Sequence, residues 1–284
     1  MTPVDWLLDP LNFGFIVRGL VAAVLVGIVC PVVGTYIVLR GMAFFGDALA
    51  HTILPGVVIA FLLEWPLALG ALAMGVLTAL GIGALSGHGM IKEDTAIGVI
   101  FAGTFALGVA LLSATGNYTV DLAHFLFGNL LGVSAVDLWV IAILGSVVLG
   151  TIFLFYKEFL VISFDPTLAV TLRLPTGFLR YLLLVLTAVT VVVALQVVGI
   201  ALVVAMLVTP AAAASLLTRR MPSMMLVAAA IGTVSGVAGL YASFYLNIAS
   251  GPTVVLVATL VFILVFLFAP ERGVLWRNNV KRKT

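Results

Sequence analysis

Ionisable side chains are scarce in this chain: 8% of its 284 residues are Asp, Glu, Lys or Arg, against roughly 25% in soluble domains. That scarcity excludes an ordinary solvated enzyme. Cysteine is almost absent too. Cys30, the single thiol, lies in an apolar run, so neither an internal disulfide nor a cysteine metal cluster can form, and it reads as core packing. The sequence has no Gly-x-x-x-x-Gly-Lys-[Ser/Thr] phosphate loop, no Gly-x-Ser-x-Gly nucleophile elbow and no acidic cluster suited to soluble catalysis. It therefore cannot hydrolyse ATP alone and is not expected to be an enzyme by itself. A net charge of +2, spread along the chain, is too small to suggest nucleic acid as a partner, and none is expected. Neither the two halves nor a fixed period shows an internal repeat, which argues against a carrier built from duplicated halves. The first twelve residues carry Asp5 and Asp9 but lack the positive n-region of a cleavable signal peptide, so they are expected to be retained.

What the chain has is apolar length. Hydrophobic residues make up 64% of it and the mean hydropathy is +1.34, the composition of a polytopic membrane protein. Apolar segments of roughly 17–25 residues are long enough to cross the bilayer as helices. About nine can be marked: 15–39, 47–63, 66–85, 95–115, 137–156, 178–195, 199–217, 224–246 and 253–268, with a less regular stretch at 117–134. The expected fold class is all-α: a single transmembrane domain, 1–284, built as a helical bundle. The break between the sixth and seventh spans is the least marked, because only Gln196 and Gly199 interrupt one apolar run.

Lys and Arg accumulate on the cytoplasmic side of short loops. With nine spans and the N-terminus outside, the inside segments collect Arg40, Lys92, Lys157, Arg173, Arg180, Arg219, Arg220, Arg272, Arg277, Lys281, Arg282 and Lys283, leaving Arg18 outside. The outside loops carry Glu64, Asp121 and Asp137. One parity thus places twelve of the thirteen basic residues inside and puts the C-terminus in the cytoplasm. The basic tail fixes orientation and touches anionic membrane lipid. Gly98, Gly103 and Gly108 in the fourth span, the Gly232-x-x-x-Gly236 of the eighth, and Ala211 to Ala214 after Pro210 mark close helix packing. Pro55 and Pro210 are expected to bend or interrupt their helices.

Within this apolar sequence, Asp47 and His51 are conspicuous. A charged side chain at bilayer depth costs from about 2.5 kcal/mol upward, so an intramembrane ionisable residue marks a pathway or a binding site. Residues i and i+4 share one helix face, roughly 6 Å apart along the axis, so an oxygen and a nitrogen can converge on one ion. Hydropathy puts the pair near the inside end of the second span. A central site then requires 41–46 to dip into the membrane, or the first span to end later. Asp121 and His124, at i and i+3 on the outside stretch, form a secondary metal candidate set against a structural reading. His88 reads as a solvated loop residue. Phe125 and Phe127 read as membrane or partner contacts. The long inside connection, 157–175, contains Asp165-Pro166, a helix start with an Asp cap and a proline in the first turn. Leu168 and Leu172 of the short amphipathic helix that follows are suited to a partner's groove, the alternative being a helix lying on the membrane.

The run Ala43-Phe44-Phe45-Gly46-Asp47-Ala48-Leu49-Ala50-His51-Thr52-Ile53-Leu54-Pro55-Gly56 resembles the signature of the permease subunits of ABC-type zinc, manganese and iron importers, the ABC-3 family. Lys92-Glu93-Asp94-Thr95-Ala96-Ile97-Gly98, Leu126-Phe127-Gly128-Asn129-Leu130-Leu131, Gly199-Ile200-Ala201-Leu202-Val203 and Thr209-Pro210-Ala211-Ala212-Ala213-Ala214 agree in order, so the resemblance covers nearly the whole chain. It implies a type II, vitamin B12 importer-like permease in a prokaryotic inner or plasma membrane. Such a permease pairs with a second copy of itself and with two ABC ATPase subunits that use the ATP, and receives metal from an extracytoplasmic binding protein. No permanently bound cofactor is implied, only a transported divalent ion, manganese or zinc with iron as a further option. The resemblance assigns the metal site to Asp47 and His51, and ATPase coupling to 157–175 with Asp165, Pro166, Leu168, Leu172 and Arg173. Arg173 departs from the family, whose members often carry glycine there. The competing function class is a self-sufficient secondary carrier or channel that moves cations through Asp47 and His51 without ATP.

Overall fold

The computed structural model describes residues 8–87, 91–114 and 130–269. Among them the long elements are all helices: α1 (Gly14–Leu39), α2 (Phe45–Thr52), α3 (Leu54–Leu62), α4 (Leu67–Gly87), α5 (Glu93–Ala114), α6 (Ala135–Leu154), α7 (Tyr156–Phe164), α8 (Pro166–Thr171), α9 (Thr176–Val198), α10 (Ile200–Leu217), α11 (Met221–Leu246) and α12 (Ser250–Phe268). Nine spans among the described residues are long and apolar enough to cross a membrane, with α2 and α3 counting together as 45–62. They are the nine expected from hydropathy. The largest offsets are three residues, at Val198, Met221 and Ser250 against the expected 195, 224 and 253. Many large outward-facing side chains are apolar, including Leu77, Phe153, Leu226 and Leu256, a surface suited to lipid rather than water.

The boundary between the sixth and seventh spans is one residue wide. Gly199 adopts φ 79° and ψ 166° between Val198 and Ile200, a backbone region that is essentially glycine's alone. Pro55 divides the second span. Lacking an N–H, it cannot donate to the His51 carbonyl four residues back, and the helix breaks at Ile53, whose own N–H turns to that carbonyl. Gly108 makes room for the break: a Cβ there would meet Leu54 Cγ at 2.9 Å and Pro55 Cδ at 3.0 Å. Pro210, by contrast, lies inside α10 without interrupting it, as does Pro31 inside α1.

The described chain forms two compact units. In the first, the 14–35 part of α1 joins α10, α11 and α12. Gly27 and Gly232 meet backbone to backbone, a Cβ on Gly27 falling 2.9 Å from the Gly232 carbonyl carbon, and Gly236 abuts Ala23. This is the close crossing that the Gly-x-x-x-Gly spacing predicts. Cys30 is fully buried in α1. The second unit comprises the end of α1, α2 to α5, most of α6, α7, α8 and nearly all of α9. Here α3 and α4 cross so closely at Gly56 and Gly70 that a Cβ on either would overlap the other's carbonyl oxygen. Of the three glycines in α5, only Gly108 is packed within the chain; Gly98 and Gly103 have open space around their Cβ positions.

Candidate functional site

Asp47 and His51 face the same side of α2, as their spacing predicts. His51 Nδ1 lies 3.8 Å from Asp47 Oδ1 and 2.9 Å from the Asp47 backbone carbonyl oxygen. A carbonyl oxygen only accepts, so the Nδ1–H of His51 donates to it and Nε2 keeps the free lone pair. The imidazole thus offers Nε2 to an ion, while a second contact fixes its tautomer. Phe101 and Phe105 of α5 stack on each other, and both meet the His51 ring edge-on with centroids 5.9 Å away, an arrangement aromatic rings favour.

The same contacts set the depth of the pair. Phe101 and Phe105 bracket the midpoint of α5, which runs from Glu93 to Ala114, so the His51 ring lies level with the middle of a full-length span. The segment before α2 makes this possible. Gly41, at φ 71°, ends α1 with Met42 N–H bonded back to the Ile37 carbonyl, and Met42 and Phe45 are buried. Within 41–46, Met42, Phe45 and Gly46 therefore pack into the protein, while Gly41, Ala43 and Phe44 stay exposed.

Both side chains remain about one-third exposed, 31% for Asp47 and 32% for His51. Among the described residues no third His, Cys, Asp or Glu joins them. One chain therefore offers two donors, fewer than the four to six that a divalent transition metal takes. The oxygen and imidazole pair suits manganese, ferrous iron or zinc better than soft cuprous ion. Asp121 and His124, together with His88, Phe125, Phe127 and the basic tail, lie outside the described residues.

In the inside connection, Asp165 Oδ1 accepts from the backbone N–H groups of Thr167 and Leu168, both at 3.0 Å. These bonds, the one from Leu168 foremost, favour the charged carboxylate and hold its pKa below the ordinary value. Leu168 and Leu172 are exposed, as a docking face requires, while Ala169 is buried. Leu174 N–H bonds to the Ala169 carbonyl at 3.0 Å and Arg173 N–H to the Val170 carbonyl at 2.9 Å, a Schellman-type closure. Arg173 occupies its left-handed position with φ 56°. That is where a glycine fits without strain. The first half of the connection is also helical: α7 buries Phe159 and Ile162.

In the sequence Arg40 and Arg180 read only as orientation charges. In the structure both converge on Glu93, with Arg40 Nη2 at 2.5 Å and Arg180 Nε at 2.8 Å from the same oxygen, Oε1. Arg180 also donates to the Ser86 carbonyl at 3.2 Å and to the Ser86 hydroxyl. Burial pulls the Arg40 pKa down, against the attraction of Glu93 and with the repulsion of Arg180. A cavity of about 510 Å³ adjoins the cluster, lined by all three residues and also by Ile162, Val170 and Tyr181.

Residues 12–269 match the ABC 3 transport family. The chain is 48% identical over 272 residues to the "Manganese transport system membrane protein MntC" of Halalkalibacterium halodurans, covering 95% of this chain and 93% of that protein. It is 39% identical over 276 residues to a "Probable iron transport system membrane protein" of Haemophilus influenzae, covering 97% and 98%. Among solved structures, "PsaBC from Streptococcus pneumoniae in complex with Fab" superposes with a TM-score of 0.84 at 37% identity, covering 100% of both chains. With the family match spanning nearly every described residue and the fold shared end to end, the chain belongs to the ABC 3 transport family.

Proposed function

We propose that this chain is the membrane-spanning permease of an ATP-driven importer of divalent transition metal ions in the prokaryotic plasma membrane, with manganese the first candidate and iron or zinc the others. The observation that carries the reading is the convergence of Asp47 and His51, level with the middle of α5 and still one-third exposed. Relatives named for manganese and for iron support the substrate class. The chain acts as one permease domain and leaves catalysis to two ATPase subunits, which dock on the 157–175 segment. An extracytoplasmic metal-binding protein delivers the ion.

A second copy of the chain completes the site. Gly98, Ala102, Ala106 and Ala110 recur every four residues along α5 and are all exposed, a small-residue face that lets a partner helix approach closely. Two-fold pairing supplies a second Asp47 and a second His51. Two carboxylates then balance a doubly charged ion and two neutral imidazoles present Nε2 lone pairs. Four donors hold the ion without enclosing it, so it is released when the two copies move apart. Asp165, Pro166, Leu168, Leu172 and Arg173 form the ATPase contact.

Reconstitution tests the reading. Proteoliposomes holding the permease with its ATPase should accumulate manganese only with ATP, and the permease alone should be inert. Uptake by the permease alone would instead support a self-sufficient carrier or channel.

A further inference from the structure

We propose that Arg40, Glu93 and Arg180 form the mechanical latch between the ATPase-docking helix α8 and the Asp47/His51 site, an inference that rests on the proposed function. The three residues stand where the relevant elements meet. Arg180 is in the first turns of α9, which begins at Thr176, five residues after α8 ends at Thr171. Glu93 is the first residue of α5, the helix whose Phe101 and Phe105 seat the His51 ring. Arg40 follows the last residue of α1 and precedes α2, the helix that bears Asp47 and His51, by five positions. A single carboxylate oxygen, Glu93 Oε1 of α5, therefore ties the start of α9, the helix that follows α8, to the turn that leads from α1 into α2.

Two further observations fit a latch at this junction. The cavity of about 510 Å³ has Val170 of α8 and Ile162 of α7 on its wall together with the three charged residues. Space rather than packing lies there, so α8 can shift inward and its displacement reaches α5 and α2 through the ion cluster. Among the described residues Arg40 Nη1 is buried with no hydrogen-bond partner, and Arg180 Nε, though 2.8 Å from Glu93 Oε1, makes no hydrogen bond either. An unsatisfied buried donor is costly, and one on a cation more so. A rearranged state that gives it an acceptor supplies a second resting position, which a latch needs. Stability alone is a poor account of the cluster, since buried ion triads are commonly replaceable by neutral side chains with no net loss.

The test uses the complete transporter, permease with ATPase, in proteoliposomes, reading manganese uptake and ATP hydrolysis together. Glu93→Gln keeps the shape and removes the charge that holds both arginines. The expected result is hydrolysis near the unmodified rate, with manganese moved per ATP falling about tenfold, within the range of ordinary coupling free energies. The neutral triple variant Arg40→Gln/Glu93→Gln/Arg180→Gln separates latch from scaffold, because it removes the repulsion that Glu93→Gln exposes. As a latch mutant it assembles and stays uncoupled. Unmodified uptake per ATP in either variant overturns the proposal, and so does a triple variant that fails to assemble, which would make the cluster a folding element. An unmodified complex that takes up no manganese with ATP defeats the proposed function itself, a result visible before any variant is measured.

Discussion

His51 turns Nδ1 onto the carbonyl oxygen of Asp47, one helical turn back at 2.9 Å, with the Asp47 carboxylate 3.8 Å from the same nitrogen, and so leaves the Nε2 lone pair for an ion. This geometry makes a prediction finer than loss of function. In His51→Gln the amide end reaches the former Nε2 position, whereas in His51→Asn it reaches only that of Nδ1. ATP-driven manganese uptake should therefore persist better in the Gln variant than in the Asn variant. Asp47→Asn and His51→Ala should each lower uptake by about a hundredfold, since loss of an outer-shell partner already costs roughly 10–100-fold in such sites. Phe101→Ala, which frees one side of the ring, should cost about tenfold on the same scale. Co-purification with the ATPase verifies assembly, and an assembled Asp47→Asn/His51→Ala protein transporting at the unmodified rate refutes the site.

Much of this was legible in the sequence for a simple reason: in an apolar chain, polar residues are rare enough to be read one at a time. Asp47 and His51 stood out because burying them is expensive, and Pro55 announced the break at Ile53 because its missing N–H acts locally. The Arg40–Glu93–Arg180 cluster did not stand out. Arg40 and Glu93 are 53 residues apart, and each charge alone fits the pattern of a solvated inside loop. Helix α7 was hidden because Lys157 and Glu158 look like loop residues, while Phe159 and Ile162 gain their meaning from the packing partners of Phe159, among them Tyr36, whose ring centroid is 5.8 Å away. Local chemistry could be read from the sequence, and contacts across long separations could not.

Orientation follows from the basic residues. The nine spans found among the described residues, with the charge pattern, predict an N-terminus outside and a C-terminus inside. In a Cys30→Ser background, a thiol probe that cannot cross the membrane should label Asp5→Cys in intact cells and spare Arg282→Cys. The opposite labelling reverses the assignment. Cys30 itself is buried, so its removal clears the background without opening the surface.

The α8 contact with the ATPase should depend on nucleotide. Single cysteines at 167, 168, 170 and 172, each paired with a cysteine on the ATPase, should cross-link in yields that change on adding ATP. An active complex with no cross-link anywhere along the segment excludes α8 as the docking helix. The Asp165 cap adds a pH dependence whose sign is fixed. Its folded-state pKa is depressed, first by the Leu168 N–H, so its stabilisation is present above the unfolded-state pKa and is lost as pH falls through the folded value. Hydrogen exchange of 167–171, corrected for intrinsic rates, should stay slow at neutral pH and quicken only in acid. Asp165→Ala should show the acid behaviour at neutral pH.

Arg173 offers a test in both directions. It holds φ 56° to close the helix through the Leu174 and Arg173 backbone bonds, a conformation that costs an ordinary L-residue roughly 1–2 kcal/mol. Glycine relieves that strain but loses about 0.5–1 kcal/mol in chain entropy, so Arg173→Gly should leave the closure equal or slightly firmer. Arg173→Val should weaken it, because a β-branched residue at positive φ is a true outlier. Hydrogen exchange at the Arg173 and Leu174 amides reads the closure, and manganese moved per ATP reads its use. The expected order of protection is Gly at or above Arg, and Arg well above Val, with coupling lost in the Val variant. Equal protection in the Gly and Val variants would show that the left-handed turn does not hold the end of α8.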